Sequence, residues 1–167
     1  MIEVHENLYV GAEIDEKSIR GRAGWFIIHA CKEPYHRHAL GYTGKGASKD
    51  HPEYLIAHRE GRLILNLVDV EDVRFISPII IDAALDAVHS NIVERKVLIH
   101  CNQGQSRSPA IALLYLVRHT RRLDGLSVDQ ALARFTEIYP PFNPARGMMN
   151  YIRMNWQRYG EPGRTTL

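Results

Sequence analysis

Cysteine is scarce in these 167 residues: Cys31 and Cys101 are the only two. That count excludes a scaffold stapled by disulfides and a zinc site built on paired C-x-x-C ligands. Net charge is nearly absent as well, since 21 Lys+Arg stand against 19 Asp+Glu and leave +2. So small a total argues for neither a nucleic-acid partner nor a membrane surface. Long apolar runs are missing too. The most apolar windows, around 79–85 and 110–117, fall far short of the roughly 18 residues a membrane span needs. The opening residues MIEVHENLYVG carry Glu3 and Glu6 where a signal peptide would have basic residues before an apolar stretch. The expectation is a soluble, monomeric protein of the reducing cytoplasm. What is present is ordinary for a globular chain, 45% hydrophobic and 24% charged. That suffices for one core in one domain, placed over 1–160 with a tail at 161–167.

Apolar runs and helical stripes alternate along the chain. Leu8–Tyr9–Val10, closed by Gly11, reads as a strand, as do 25–28, 63–68 and 97–100. Helices are expected over 15–22, over 78–92 with Pro78 in the first turn and Ser77 as cap, and over 109–119. A further helix begins at the capping box Ser127-Val128-Asp129-Gln130, and a last one covers 147–159. Such alternation predicts an α/β fold, a central, mostly parallel sheet flanked by helices. Residues 32–61 break the pattern with Gly41, Gly44, Gly46, Pro34 and Pro52, and five of the nine histidines lie between His29 and His58. This polar excursion, with a short helix over 52–59, reads either as a solvated loop or as a lid. As a lid, Tyr35, His36, His38 and Tyr42 would shape a pocket, and Lys45 or Lys49 would attract an acidic substrate.

The informative stretch runs from Val97 to Pro109, VLIHCNQGQSRSP. Cys101 ends an apolar strand, five short or polar residues follow, and Arg107 opens a helix. Backbone N–H groups of Asn102, Gln103, Gly104, Gln105 and Ser106, together with the positive helix end, form an anion cradle. Gly104 lets the turn curl without a Cβ. Arg107 can hold two phosphate oxygens in a bidentate fork. This field favours a thiolate at Cys101, and Ser108 is placed to donate a hydrogen bond to the sulfur. A phosphate monoester would meet nucleophile, clamp and oxygen-binding nest together.

The pattern His100-Cys101, five residues, Arg107-Ser108 resembles the phosphate loop of cysteine-dependent protein-tyrosine phosphatases. With Gly104 and Ser106 it is most similar to that of their dual-specificity branch. The resemblance implies a cysteinyl-phosphate mechanism that needs no metal or other cofactor. It also implies a general acid about thirty residues before the cysteine. Asp69, at the end of Leu65-Asn66-Leu67-Val68-Asp69, fits that place with Asn where the family usually has proline. Asp72 is the alternative, and Glu71 crowds the same loop. By the same resemblance, Cys101 attacks phosphorus, Arg107 and the loop bind the oxygens, Asp69 protonates the leaving group, and Ser108 assists sulfur departure. His100 would fix the loop by a hydrogen bond. Asn143, in Pro141-Phe142-Asn143-Pro144, would brace it, although the family's Pro-Asn order is reversed.

Cys31 reads either as a buried small hydrophobe or as a second thiol that pairs with an oxidised nucleophile. A zinc site from His29, Cys31 and His36 has no recognised spacing. The expected partner is a phosphorylated protein, or a small phosphate ester, with phosphotyrosine first. The loop holds no lysine, which weighs against inositol lipids, and no aromatic–basic platform points to nucleic acid.

Overall fold

Alternation along the central strands decides how the layers stack. In the strand Lys96–His100 (β6), Val97 and Ile99 join the main core, while Leu98 joins a small cluster with Ile19 and Ile27 on the other face. Successive strand side chains point to opposite faces, so Cys101 continues the Val97–Ile99 side and His100 the Leu98 side. The computed structural model describes residues 1–160, and the tail expected over 161–167 lies outside the described residues.

The remaining elements follow in chain order. β1 (Ile2–His5) and β2 (Leu8–Gly11) lead into α1 (Glu13–Ile19) and β3 (Trp25–His29). A wide helical turn at Lys32–His36 continues into α2 (Arg37–Leu40), followed by β4 (Ile56–Arg59) and β5 (Arg62–Leu65). After a 3-10 turn at Val73–Phe75 come α3 (Pro78–Asn91), β6, α4 (Arg107–His119), α5 (Val128–Ile138), α6 (Arg146–Met154) and α7 (Trp156–Gly160). The six strands lie in the order β1-β2-β6-β3-β5-β4. The pairs β2–β6, β6–β3 and β3–β5 are parallel, and the edge pairs β1–β2 and β4–β5 antiparallel. The expected α/β architecture is what forms. α1 covers one face over Ile19, Ile27 and Leu98, and α3 and α4 bury Ile81, Leu85, Val88, Ile111 and Leu114 against the other. Each such fully buried side chain contributes roughly 1.5–3 kcal/mol.

Three departures from the sequence expectation have physical reasons. The helix expected over 52–59 does not form: 52–55 is a turn and 56–59 a strand, because Glu60-Gly61, with Gly61 at φ +69°, closes a two-residue hairpin that pairs Arg59 with Arg62. Ser77 stands at the N-cap of α3 without a side-chain cap bond, and Pro78 alone marks the start. The last helix is broken at Asn155, whose side chain donates to the Tyr151 carbonyl at 2.9 Å. The Ser127–Gln130 capping box forms with both of its reciprocal bonds.

Candidate active site

β6 delivers Cys101 to the C-terminal edge of the parallel sheet, and the chain turns through 102–106 into α4. Gly104 holds φ +72°, and a Cβ there would press on the Gly11 carbonyl at 2.9 Å. The turn is therefore both left-handed and in close contact with the end of β2, conditions that favour glycine. Ser108 Oγ lies 3.2 Å from Cys101 Sγ and 3.2 Å from the Gly11 carbonyl. Its single proton serves one acceptor at a time.

A cavity of about 310 Å³ opens on the loop, lined by Cys101, Gln103, Gln105, Arg107, Asp69 and Asn143, among others. Arg107 reaches back under the loop, donating from Nη1 to the Leu67 carbonyl at 3.1 Å and from Nη2 to Asn102 Oδ1 at 2.8 Å. Its buried Nε–H finds no acceptor among the described residues and lies 3.7 Å from Asp69 Oδ2. An orphaned donor beside a pocket is what an anionic ligand would complete.

Asp69 and Asp72, which the sequence leaves as alternatives, occupy different surroundings. Asp69 lines the cavity and accepts a hydrogen bond from Ser106 Oγ at 2.8 Å. Asp72 does not line it. Its carboxylate accepts from the Arg74 backbone and guanidinium at 2.6–3.1 Å, which holds it below the usual carboxylate range. Glu71 is exposed and outside the lining.

Asn143 meets the loop through its backbone, its N–H donating to the Gln105 carbonyl at 2.8 Å, and not through the side chain the resemblance implied. Other groups also brace the loop. Ser106 Oγ accepts from the Ala145 N–H at 3.0 Å while donating to Asp69, and so ties the Asp69 loop to the start of α6. Tyr139 donates to the Gly104 carbonyl at 2.8 Å, and Asn102 Nδ2 to the Glu33 carbonyl at 3.0 Å. Gly147 donates to the Val70 carbonyl at 3.1 Å, and a methyl group there would drive into that same oxygen.

His100 belongs to a buried chain of groups on the α1 face. Its Nε2 is 2.7 Å from His29 Nδ1, and its Nδ1 faces the Cys101 carbonyl at 3.4 Å. A carbonyl can only accept, so His100 carries its proton on Nδ1 and His29 Nδ1–H donates to His100. Tyr35 stacks on His29 at 4.2 Å and donates to Glu16, which is paired with Arg20. Burial pushes His29 down to about 2, with the neighbouring His100 adding to the effect, and pushes His100 down to about 4. The unfolded chain takes up these protons near 6.5, so stability is lost as pH falls from 6.5 toward 4. Thermal denaturation should show Tm dropping across that window, and less steeply in His29→Asn.

The excursion 32–61 contributes no residue to the lining of the catalytic cavity. Tyr35 and His36 are buried structural groups, His36 Nε2 meeting the Glu53 carbonyl at 3.0 Å and Nδ1 the Tyr42 hydroxyl at 3.3 Å. Lys32 Nζ donates to the Lys45 carbonyl at 2.6 Å. Cys31 is buried and reduced, and burial pushes its thiol up to about 12. His29, Cys31 and His36 do not assemble as a donor set, and the described residues hold no cluster of three metal-ligating side chains. No described helix is long and apolar enough to cross a membrane.

Comparison with known proteins bears on the fold. Residues 72–154 match the family model described as Init_tRNA_PT, the Rit1 DUSP-like domain. No curated protein matches the sequence. Among solved structures, human DUSP28 superposes with a TM-score of 0.61 at 19% identity, over 95% of this chain and 91% of that one. A human tyrosine phosphatase-like serine/threonine/tyrosine-interacting protein gives 0.59 at 16%, over 94% and 95%. OH1 of Orf virus, described as a tyrosine phosphatase with triple substrate specificity, gives 0.56 at 15%, over 95% and 86%.

Proposed function

We propose that this chain, which belongs by fold and phosphate loop to the protein-tyrosine and dual-specificity phosphatase superfamily and carries its cysteine-based active site, hydrolyses phosphotyrosine on proteins. Phosphoserine and phosphothreonine are the wider form of the same activity. The observation that carries the reading is the joint placement of Cys101, Arg107 and Asp69 on one cavity, with Ser108 Oγ 3.2 Å from the sulfur.

The cycle has two displacements. Cys101 Sγ attacks phosphorus in line, the S–P bond forms, and the P–O bond to the leaving group breaks. Arg107 Nε–H and the loop amides hold the non-bridging oxygens as charge develops on them. Asp69 gives its proton to the departing oxygen. Water then attacks the cysteinyl-phosphate while Asp69 takes up its proton, the S–P bond breaks, and Ser108 donates to the leaving sulfur. Ser106 holds Asp69 in place for both steps.

Asp69→Asn should lower turnover of phenyl phosphate, a poor leaving group, by about 100-fold, whereas Asp72→Asn should leave it within about threefold. Steady-state rates without added metal check this, and the reverse result would move the acid to Asp72. A second reading, a nucleic-acid phosphate ester as substrate, is favoured by the family model whose name contains a tRNA. Phosphotyrosine peptides assayed beside a 5′-phosphorylated RNA oligonucleotide separate the two.

A further inference from the structure

We propose that a second, non-catalytic phosphate-binding site lies beside the catalytic loop, in the cavity between α1, the turn over 34–39 and the β4–β5 hairpin. This cavity of about 450 Å³ is walled by Lys17 of α1, Arg20 just past its end, His38, and Arg59 and Arg62 from the hairpin. The volume accommodates a phosphate monoester with room around it. Its cations come from separate elements, so the fold, and not a run of basic sequence, brings them together.

Two of the guanidinium groups are held rigidly. Arg20 grips Glu16 with Nε at 2.9 Å and Nη2 at 2.7 Å. Arg59 grips Glu53 at 2.8 and 3.1 Å and the Ala39 carbonyl at 2.8 Å. Donors already ordered by the protein lose little entropy when an anion arrives. Lys17 is paired with Glu13 at 2.7 Å. Once Glu13, Glu16 and Glu53 are set against Lys17, Arg20 and Arg59, the charge of Arg62 is left over. Among the described residues Arg62 has no carboxylate partner, and its side chain is exposed. It also borders an adjoining hollow of about 530 Å³ that it shares with Arg20, Arg22 and Glu60. A planar fork without a carboxylate partner, at the border of two hollows, fits the bidentate recognition of a phosphate.

The site binds without reacting. The hydroxyl in its wall, Tyr35, donates to Glu16 at 3.1 Å, and burial holds it protonated well above its ordinary range. It is also a neighbour of the catalytic loop. Pro34 and Glu13 line it, while the Glu33 carbonyl accepts from Asn102 Nδ2 and the Glu13 N–H donates to the Asn102 carbonyl at 3.3 Å. Asn102 of the catalytic loop thus bonds to the backbone of Glu13, in this wall, and of Glu33, next to Pro34. The ligand is a phosphate group, either free or the second phosphate of a substrate held at Cys101.

Inorganic phosphate titrated into the 15N-labelled full chain tests this. Two independently saturating sets of amide shifts are expected, one over 101–108 and one around Lys17, His38 and Arg62. Arg62→Gln should weaken the second at least about fivefold and leave the first, and p-nitrophenyl phosphate turnover, unchanged. Shifts confined to 101–108, or an unchanged second affinity in Arg62→Gln, would overturn the proposal. Peptides carrying one or two phosphates then identify the source. A loss of kcat/KM in Arg62→Gln limited to the doubly phosphorylated peptide assigns the site to the substrate's own second phosphate. Equal kcat/KM values, with the phosphate shifts still weakened, assign it to free phosphate. The shifts do not depend on turnover, so a failure of hydrolysis at Cys101 is read separately.

Discussion

Cys101→Ser is expected to slow p-nitrophenyl phosphate hydrolysis by at least about 10⁴-fold, because a hydroxyl oxygen is a far weaker nucleophile than a cysteine sulfur. The loop around it should survive the change. Ser108 can donate to an oxygen as well as to sulfur, and the braces from Tyr139, Asn143 and Ala145 do not involve the sulfur at all. Inorganic phosphate should therefore still bind the variant, which separates loss of chemistry from loss of fold. The second cysteine does not confuse the measurement. Cys31 is buried with its thiol pushed up to about 12, so iodoacetate near pH 7 should alkylate Cys101 alone and phosphate should protect it. Turnover by Cys101→Ser within about tenfold of wild type would remove the cysteinyl-phosphate intermediate from the reading.

What the sequence makes legible here is what is local in the chain. His100 through Ser108 is one strand–turn–helix unit, so its residue types and spacing already imply where Cys101, Gly104 and Arg107 must stand. The capping box at Ser127 and Gln130 is legible for the same reason. Asp69 lies on a separate loop and was reached through the resemblance; residue spacing alone does not distinguish it from Asp72. The illegible features join segments far apart in sequence. Nothing near Ser106 announces that its hydroxyl bridges Asp69 and Ala145, and nothing near Gly147 announces the Val70 carbonyl beneath it. The histidine-rich stretch misled because polar residues suggest solvent, whereas His29 pairs with His100, Tyr35 with the Glu16 carboxylate and His36 with the Glu53 carbonyl, so all three can be buried. His29 could have been suspected: it continues a strand of Trp, Phe and Ile in register with His100.

Arg107→Lys tests whether charge or shape matters in the clamp, and the expected outcome is a fall in kcat/KM for p-nitrophenyl phosphate of about 10³-fold. Lysine keeps the positive charge at the mouth of α4, so a purely electrostatic role would be largely retained. The guanidinium does more than supply charge. Nη1 serves the Leu67 carbonyl, Nη2 serves Asn102 Oδ1, and Nε–H, with no acceptor among the described residues, is the donor proposed for the phosphoryl group. One ammonium cannot occupy those three directions at once. If it turns toward phosphate, it leaves the buried Leu67 carbonyl, two residues before Asp69, without its donor. If it stays with Leu67 or Asn102, the transition state loses its clamp. Either way the geometry that brings the acid loop over the phosphate loop is weakened, so Tm should fall along with activity. A variant that keeps its Tm and loses less than about tenfold in kcat/KM would show that a positive charge at this position is enough.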